Sequence, residues 1–305
     1  MKDLQDTIVN LVSNIDGIFG VCVRDISTGV EIGIRMDDML PMASTCKVPI
    51  LVEAYNQVDL GMLDIYKRMP FTEDDQCLGS GLFRSFHPGF EPTIFDCLLM
   101  MIVVSDNAAT DIVSSLIGLQ NVNVRMRGLG LNNIRLDRPI RTLIGDILVA
   151  ADDRYEGISP KNWDEYLVRH PDLKEIDKDL NIGREAVNQA AADMDVASPR
   201  DLARLCAMIA EHKAASEGSC LEMLSILDKQ LLNGRIPRDL PVRTRFPHKT
   251  GTLGSGAVVN DIGILFNEEV PLASIAILSR DLRNPVYETC NTMAAIGRAL
   301  YEYYF

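Results

Sequence analysis

Met42-Ala43-Ser44-Thr45-Cys46-Lys47-Val48-Pro49-Ile50 is the stretch on which the reading of this 305-residue chain turns. Ser44 and Lys47 stand three apart, and the apolar run that follows (Val48, Ile50, Leu51, Val52, Ala54) has helical spacing as far as Tyr55. Residues i and i+3 of a helix share a face, so the spacing brings the lysine amine toward the serine hydroxyl. A serine is a weak nucleophile until a neighbouring base takes its proton. An amine near the positive end of a helix, and partly desolvated, has its ammonium form disfavoured and can be that base. Pro49 falls early in the segment, where a missing amide proton costs little. A solvated helix face can carry the same spacing, so the rest of the chain has to decide between the two readings.

Composition narrows the choice of partner. Apolar residues make up 47% and charged residues 24%, an ordinary balance for a globular chain. A net charge of −13 argues against nucleic acid or an anionic membrane as the partner, and a small molecule is expected instead. The seven cysteines (22, 46, 77, 97, 206, 220 and 290) form no C-x-x-C pair, and histidines 87, 170, 212 and 248 have no metal-ligand spacing. Free thiols, no metal and no cofactor are therefore expected. The cysteine usage, and an amphipathic start without a long apolar signal core, favour the cytoplasm. The longest apolar run, Cys97 to Val104, is too short to span a bilayer.

Residues 3–15 have helical periodicity, and strand-like runs follow at Ile18 to Val23 and Val30 to Ile34 around a Ser27-Thr28-Gly29 turn. From Ser44 to about Asn233 the pattern is mostly helical, with apolar stretches at 47–58, 93–104, 107–117, 121–129 and 200–210. Strands return at Ala257 to Phe266 and Leu272 to Ser279, joined at Asn267-Glu268-Glu269, before a final helix at about 285–302. The expected fold is α+β: an antiparallel sheet flanked by N- and C-terminal helices, with an all-helical lobe. Segments 1–40 and 236–305 form the α/β lobe, and 41–235 form the helical lobe. A cleft between two such lobes is a common place for a site. Residues 138–198 read as a long ordered loop with one or two short helices.

Two further motifs stand at suggestive places. Ser105-Asp106-Asn107 follows the apolar run Leu98 to Val104, where it can also cap the helix that begins at Ala108. Lys249-Thr250-Gly251-Thr252 precedes the strand beginning at Ala257. S-x-x-K, S-D-N and K-T-G in this order resemble the class A β-lactamase and penicillin-binding protein superfamily. His248-Lys249-Thr250-Gly251, Leu129-Gly130-Leu131 and Arg135-Leu136-Asp137-Arg138 extend the likeness to class A members, over nearly all of the chain apart from 139–194. The resemblance implies Ser44 as nucleophile, Lys47 as its proton partner and Ser105 as a proton relay toward the leaving nitrogen. It implies that Asn107 holds the substrate amide, and that Lys249 and Thr250 bind a carboxylate or orient Ser105. The backbone amides of Ser44 and Thr252 would flank the oxyanion beside Gly251. Arg235 falls where some members keep a carboxylate-binding arginine.

The chain departs from the family where hydrolysis is completed. Class A enzymes carry an E-x-x-x-N segment just after the L-D-R phrase; here Ile140 and Ile144 occupy the two positions. Arg138 and Asp195 match the residues that pair at the neck of the family's loop, but 56 residues lie between them. Within this enlarged loop, 138–195, Asp177-Lys178-Asp179-Leu180-Asn181 echoes the lost spacing, which makes Asp177 or Glu175 the candidate deacylation base. An acidic exposed helix would look the same. The resulting expectation is a serine amidohydrolase that acts on a small amide or lactam carrying a carboxylate, with β-lactam turnover in doubt. Its rivals are a D-peptide peptidase or transpeptidase and a non-catalytic ligand-binding protein.

Overall fold

The computed structural model describes residues 1–87, 89–157, 168, 180–191 and 194–305. Asp177 and Glu175 lie outside the described residues, as do Trp163 and Leu167. The strands are β1 (Ile18–Asp25), β2 (Glu31–Ile34), the short β3 (Leu40–Pro41), β4 (Ile134–Arg135) and β5 (Val196–Ala197), then β6 (His248–Leu253), β7 (Val258–Asn267) and β8 (Val270–Arg280). Five of them form one antiparallel sheet in the order β2-β1-β8-β7-β6, and the three short ones pair as β3-β5-β4. The fold class is α+β, as the sequence pattern predicts.

Alternation along the strands explains why the sheet is covered on both faces. Val21 and Val23 of β1, with Ile275 and Ile277 of β8, pack on one side against α1 (Lys2–Val12) through Leu4 and Ile8. The C-terminal helix adds Met293, Ile296 and Leu300 to that core. The intervening residues Cys22, Ala276 and Leu278 face the other core, which holds most of the remaining helices. Side chains two apart share a sheet face, so one strand supplies both cores. β7 is buried at every position except Asn267, as befits a strand with neighbours on both edges and helices over both faces.

Helices α2 (Lys47–Asp59), α3 (Ile94–Val103), α4 (Asn107–Ile117) and α5 (Leu119–Gly128) follow, and α2 is buried along most of its length. Thr93 and Asp96 form a reciprocal capping box at the start of α3, and Asp106 caps α4 by accepting from the Ala109 amide at 2.9 Å. Ser105 sits between these helices with φ of +57°, so the α3–α4 junction is a sharp corner.

The described part of the segment after Arg138 holds two α-helices, of twelve and eleven residues. It opens with α6 (Ile140–Ala151) and, later, α7 (Leu180–Ala190) packs against it. Ile140, Leu143, Ile144, Ile147 and Leu148 have the spacing of one apolar helix face. Pro139 stands at the N-cap, and Asp111 of α4 accepts from the Ile140 amide at 2.7 Å and the Arg141 amide at 3.0 Å. A carboxylate at the positive end of the helix caps it from outside its own segment, which local sequence does not reveal. At the neck, Arg138 Nε donates to Asp195 at 2.9 Å, and the same guanidinium reaches Asp146 and the Ala190 carbonyl. Further helices among the described residues are α8 (Pro199–Ala210), which lies on the inner face of the sheet, α9 (Glu217–Leu227) and α10 (Val286–Tyr304). No helix among the described residues is long and apolar enough to cross a membrane.

Candidate active site

Ser44 lies in a 3₁₀ turn, Ala43–Cys46, that runs directly into α2. The residue before it, Ala43, has φ of +48°, a left-handed conformation that costs an alanine about 1–2 kcal/mol. Tertiary contacts hold the turn there. Met42 N donates to the Asp195 carbonyl at 2.9 Å, and Asn260 Nδ2 donates to the Pro41 and Met42 carbonyls at 2.8 and 3.0 Å. Strand β6 passes close beside it. A Cβ added at Gly251 would lie 2.9 Å from the Met42 carbonyl oxygen and 3.0 Å from the Ser44 amide nitrogen. Only glycine lets the strand carrying Lys249-Thr250 come this near to Ser44.

Lys47 is fully buried and spends its three N–H donors on the Ser105 carbonyl at 2.8 Å, Ser105 Oγ at 3.0 Å and Asn107 Oδ1 at 2.9 Å. Burial pushes its pKa down from 10.5 to about 8, with Cys46 and Asp106 opposing the shift. The sequence spacing points Lys47 at Ser44; the hydrogen bonds of the folded chain instead tie it to the Ser105-Asp106-Asn107 corner. Lys249 is also fully buried and donates to the Thr250 carbonyl at 2.8 Å. Burial first, then the nearby Lys47 and Arg235, hold its pKa well below the usual lysine value. Two buried amines thus lie beneath one site, and burial disfavours the charged form of each.

Above them opens a cavity of about 420 Å³, within the range of small-molecule sites. Ser44, Ser105, Asn107, Thr250, Gly251 and Thr252 line it, so six of the residues picked from the sequence meet there. Lys47 and Lys249 are not among its lining residues, and Arg235 stands behind β6. Its guanidinium donates to the Gly251 carbonyl at 2.7 Å, and it also reaches the Asn260 carbonyl and Thr252 Oγ1. In this state Arg235 braces the strand.

Other parts of the site escaped the sequence reading. Ser80 lines the cavity, donates from Oγ to the Ser105 carbonyl at 2.7 Å, and accepts the Asn107 amide N–H on its own carbonyl at 3.0 Å. Asn107 Nδ2 donates to the Leu78 carbonyl at 2.9 Å. The signal was the run Gly79-Ser80-Gly81: both glycines have positive φ, and a Cβ at Gly79 would sit 2.7 Å from Asn107 Nδ2. Much of the remaining lining is apolar: Ile140, Leu143, Ile144, Ile147 and Leu148 from α6, with Leu253 after β6 and, separately, Leu232, whose neighbour Leu231 donates its amide to the Val103 carbonyl near Ser105. No carboxylate is among the described lining residues. Cys46, next to the site in sequence, is buried with its thiol raised to about 12 and is no rival nucleophile. Among the described residues no group of His, Cys, Asp and Glu gathers to hold a metal.

A family model described as the β-lactamase enzyme family matches residues 3–304. The chain is 29% identical over 123 residues to β-lactamase L2 of Stenotrophomonas maltophilia, a match that covers 40% of each. It is 28% identical to the β-lactamase regulatory protein BlaB of Streptomyces cacaoi, over 40% of the chain and 39% of that protein. Among solved structures, a β-lactamase from Sphaerobacter thermophilus superposes with a TM-score of 0.77 at 25% identity, covering 99% of this chain and 97% of that one. PBP-A superposes with a TM-score of 0.76 at 22% identity, over 100% and 96% of the two chains, and shows the shared fold. With the family model spanning almost every residue, and its fold present from the first helix to the last, the chain belongs to the β-lactamase enzyme family.

Proposed function

We propose that this chain is a serine amidohydrolase that forms an acyl-enzyme on Ser44 from a small amide, lactams included, carrying a carboxylate. The observation that supports it most directly is the buried Lys47 amine, with its pKa near 8, held against Ser105 and Asn107 beneath a cavity onto which Ser44 opens. At pH 7 about a tenth of such an amine is neutral and able to accept a proton. The neutral amine takes the Ser44 hydroxyl proton as Oγ bonds to the carbonyl carbon. The oxyanion is received by backbone N–H groups where β6 passes Ser44, donors typically worth about 3–4 kcal/mol of barrier. The C–N bond then breaks, Ser105 passes its proton to the departing nitrogen, and Lys47 restores it. Arg235, whose guanidinium reaches Thr252 Oγ1, makes the Thr250-Thr252 side attractive to a carboxylate. Asn107 positions Lys47; to hold a substrate amide its Nδ2 must exchange the bond to Leu78.

Hydrolysis of the ester is the weak half. Ile140, only 9% exposed, stands where the family places its water-activating glutamate, and a hydrophobic wall surrounds it. A penicilloyl ester on Ser44 therefore persists. The same wall favours handing the acyl group to an amine rather than to water, which keeps acyl transfer as a second reading. The free cysteines, six of them buried, are consistent with a reducing compartment such as the cytoplasm. The test is intact-mass measurement after incubation with penicillin G and with simple esters and amides, each with and without a D-amino-acid acceptor. A persistent adduct on the wild type that is absent from Ser44→Ala supports the assignment; an equal adduct on both overturns it.

A further inference from the structure

A second cavity, of about 470 Å³, lies between α2 and α5 and shares no lining residue with the one onto which Ser44 opens. Glu53 and Gln57 stand one turn apart on α2 and both line it, though only 4% and 6% exposed. Glu53 Oε1 accepts from Gln57 Nε2 at 2.7 Å, and Glu53 Oε2 accepts from Asn56 Nδ2 at 3.1 Å. Gln57 Nε2 donates again to the Ile117 carbonyl at 2.9 Å. Two acceptors fix that amide group, and no donor among the described residues reaches Gln57 Oε1.

The Glu53 carboxylate lacks a counter-ion. Among the described residues no cation forms an ion pair with it. Arg125 of α5, the cationic side chain in the lining, donates instead to the Ala214 carbonyl at 2.8 Å and lies within electrostatic reach of Asp59. A buried carboxylate is costly unless both hydrogen bonds and an opposite charge compensate it. The two amides supply hydrogen bonds but no charge. Three exposed aliphatic side chains, Leu60, Met62 and Val124, gather around the same cavity. The net charge of −13 also draws cations toward the molecule.

We propose that the α2–α5 cavity is a second binding site, separate from the acylation chemistry, for a small organic cation: a primary ammonium on a short alkyl chain. The ammonium donates to the Glu53 carboxylate and to Gln57 Oε1, and the alkyl chain lies along Leu60, Met62 and Val124. A metal ion fits less well, since Glu53 is the one carboxylate among the lining residues and no group of His, Cys, Asp and Glu among the described residues gathers to hold one. The site stands whether or not Ser44 is the acylated residue.

An amide-resolved NMR titration of the full chain with n-pentylammonium chloride, and with 1-pentanol as the neutral control, tests the site. The ammonium is expected to shift amides of α2 and α5 and to bind at least about tenfold more tightly than the alcohol, the usual worth of a charge-assisted hydrogen bond. Glu53→Gln keeps the size of the side chain, removes its charge, and is expected to lower the ammonium affinity at least about tenfold. A buried substitution can also unsettle α2, so Val124→Lys is the second variant. That position is 58% exposed and tolerates the change, and a fixed cation at the mouth is expected to weaken ammonium binding by a similar factor. Weakened binding in Val124→Lys at an unchanged thermal midpoint, and in Glu53→Gln where it folds, supports the site. A wild-type dissociation constant above about 10 mM, equal affinity for the alcohol, or undiminished ammonium binding in either variant overturns it.

Discussion

The two walls of the cavity are built by opposite rules. On one side polar groups hold one another in place: Lys47 to Ser105 and Asn107, Asn107 to Leu78, Ser80 to Ser105. On the other, α6 presents Ile140, Leu143, Ile144, Ile147 and Leu148, and no described side chain there can activate water. Forming an acyl-enzyme and hydrolysing it are separate chemical problems, and a chain can retain the machinery for one without the other. The polar side also depends on precise partners, since a buried amine with one donor lost is expensive. The apolar side tolerates exchange of one aliphatic residue for another.

The sharpest way to break the comparison is on the polar side. Ser44→Ala is expected to remove the acyl adduct completely with the thermal midpoint unchanged, and Lys47→Met to slow acylation about 10²–10⁴-fold, the usual worth of a general base. Rapid acylation by Lys47→Met in a stopped-flow assay would show that another group takes the proton.

The neck of the segment that carries the apolar wall comes next. Arg138 and Asp195 have side chains only 6% and 10% exposed, and Arg138→Leu leaves the Asp195 carboxylate buried without its cation. The expected loss is about 3–5 kcal/mol in denaturant unfolding. Because Asp195 also positions Met42 beside Ser44, acylation should fall with it; full acylation at reduced stability would show the two walls to be uncoupled.

Acylation should also follow the protonation of Lys47. Its folded pKa is lowered to about 8, so the rate is expected to climb about tenfold per pH unit below 7 and to level off above 8. Stability runs the same way. Between about pH 8 and 10.5 the unfolded chain holds a proton that the folded chain has released, so raising the pH through that window favours the folded state. Lys249, shifted in the same direction, adds to the effect. An acylation rate flat from pH 6 to 9 would remove Lys47 from the proposed mechanism.

Smaller effects probe the apolar wall and the thiols. Steady-state penicillin hydrolysis is expected well under about 10 per second, the middle of the range for ordinary enzymes. Ile140→Glu should not raise it to that level, since the new carboxylate would face the Asp111 carboxylate that already caps α6 and the aliphatic residues around it. Turnover above that mark in either protein would mean a base acts from elsewhere in the chain. Reductant should leave the melting temperature within about 1 °C, since all seven cysteines are free; a fall of many degrees, against the 2–4 kcal/mol a disulfide typically contributes, would overturn that pairing state.

Local pattern determined much of this protein. Alternation of period two placed the strands, periodicity near 3.6 placed most of the helices, and S-x-x-K, S-D-N and K-T-G named five residues that the fold gathers at one cavity. Asp106 as a helix cap was legible for the same reason, because a cap acts on amides two or three residues away. Tertiary structure decided what depends on residues distant in sequence. The partners of Lys47 lie 58 and 60 positions away, and the Asp111 carboxylate that caps α6 lies 29 positions before it, so neither spacing nor propensity discloses them. The depressed pKa of Lys47 is likewise a property of burial that no motif carries. The aliphatic run after Arg138 could be read as an absence in the sequence, a glutamate replaced by isoleucine. Only the fold turned that run into a surface, by setting one face of a three-turn helix opposite Ser44.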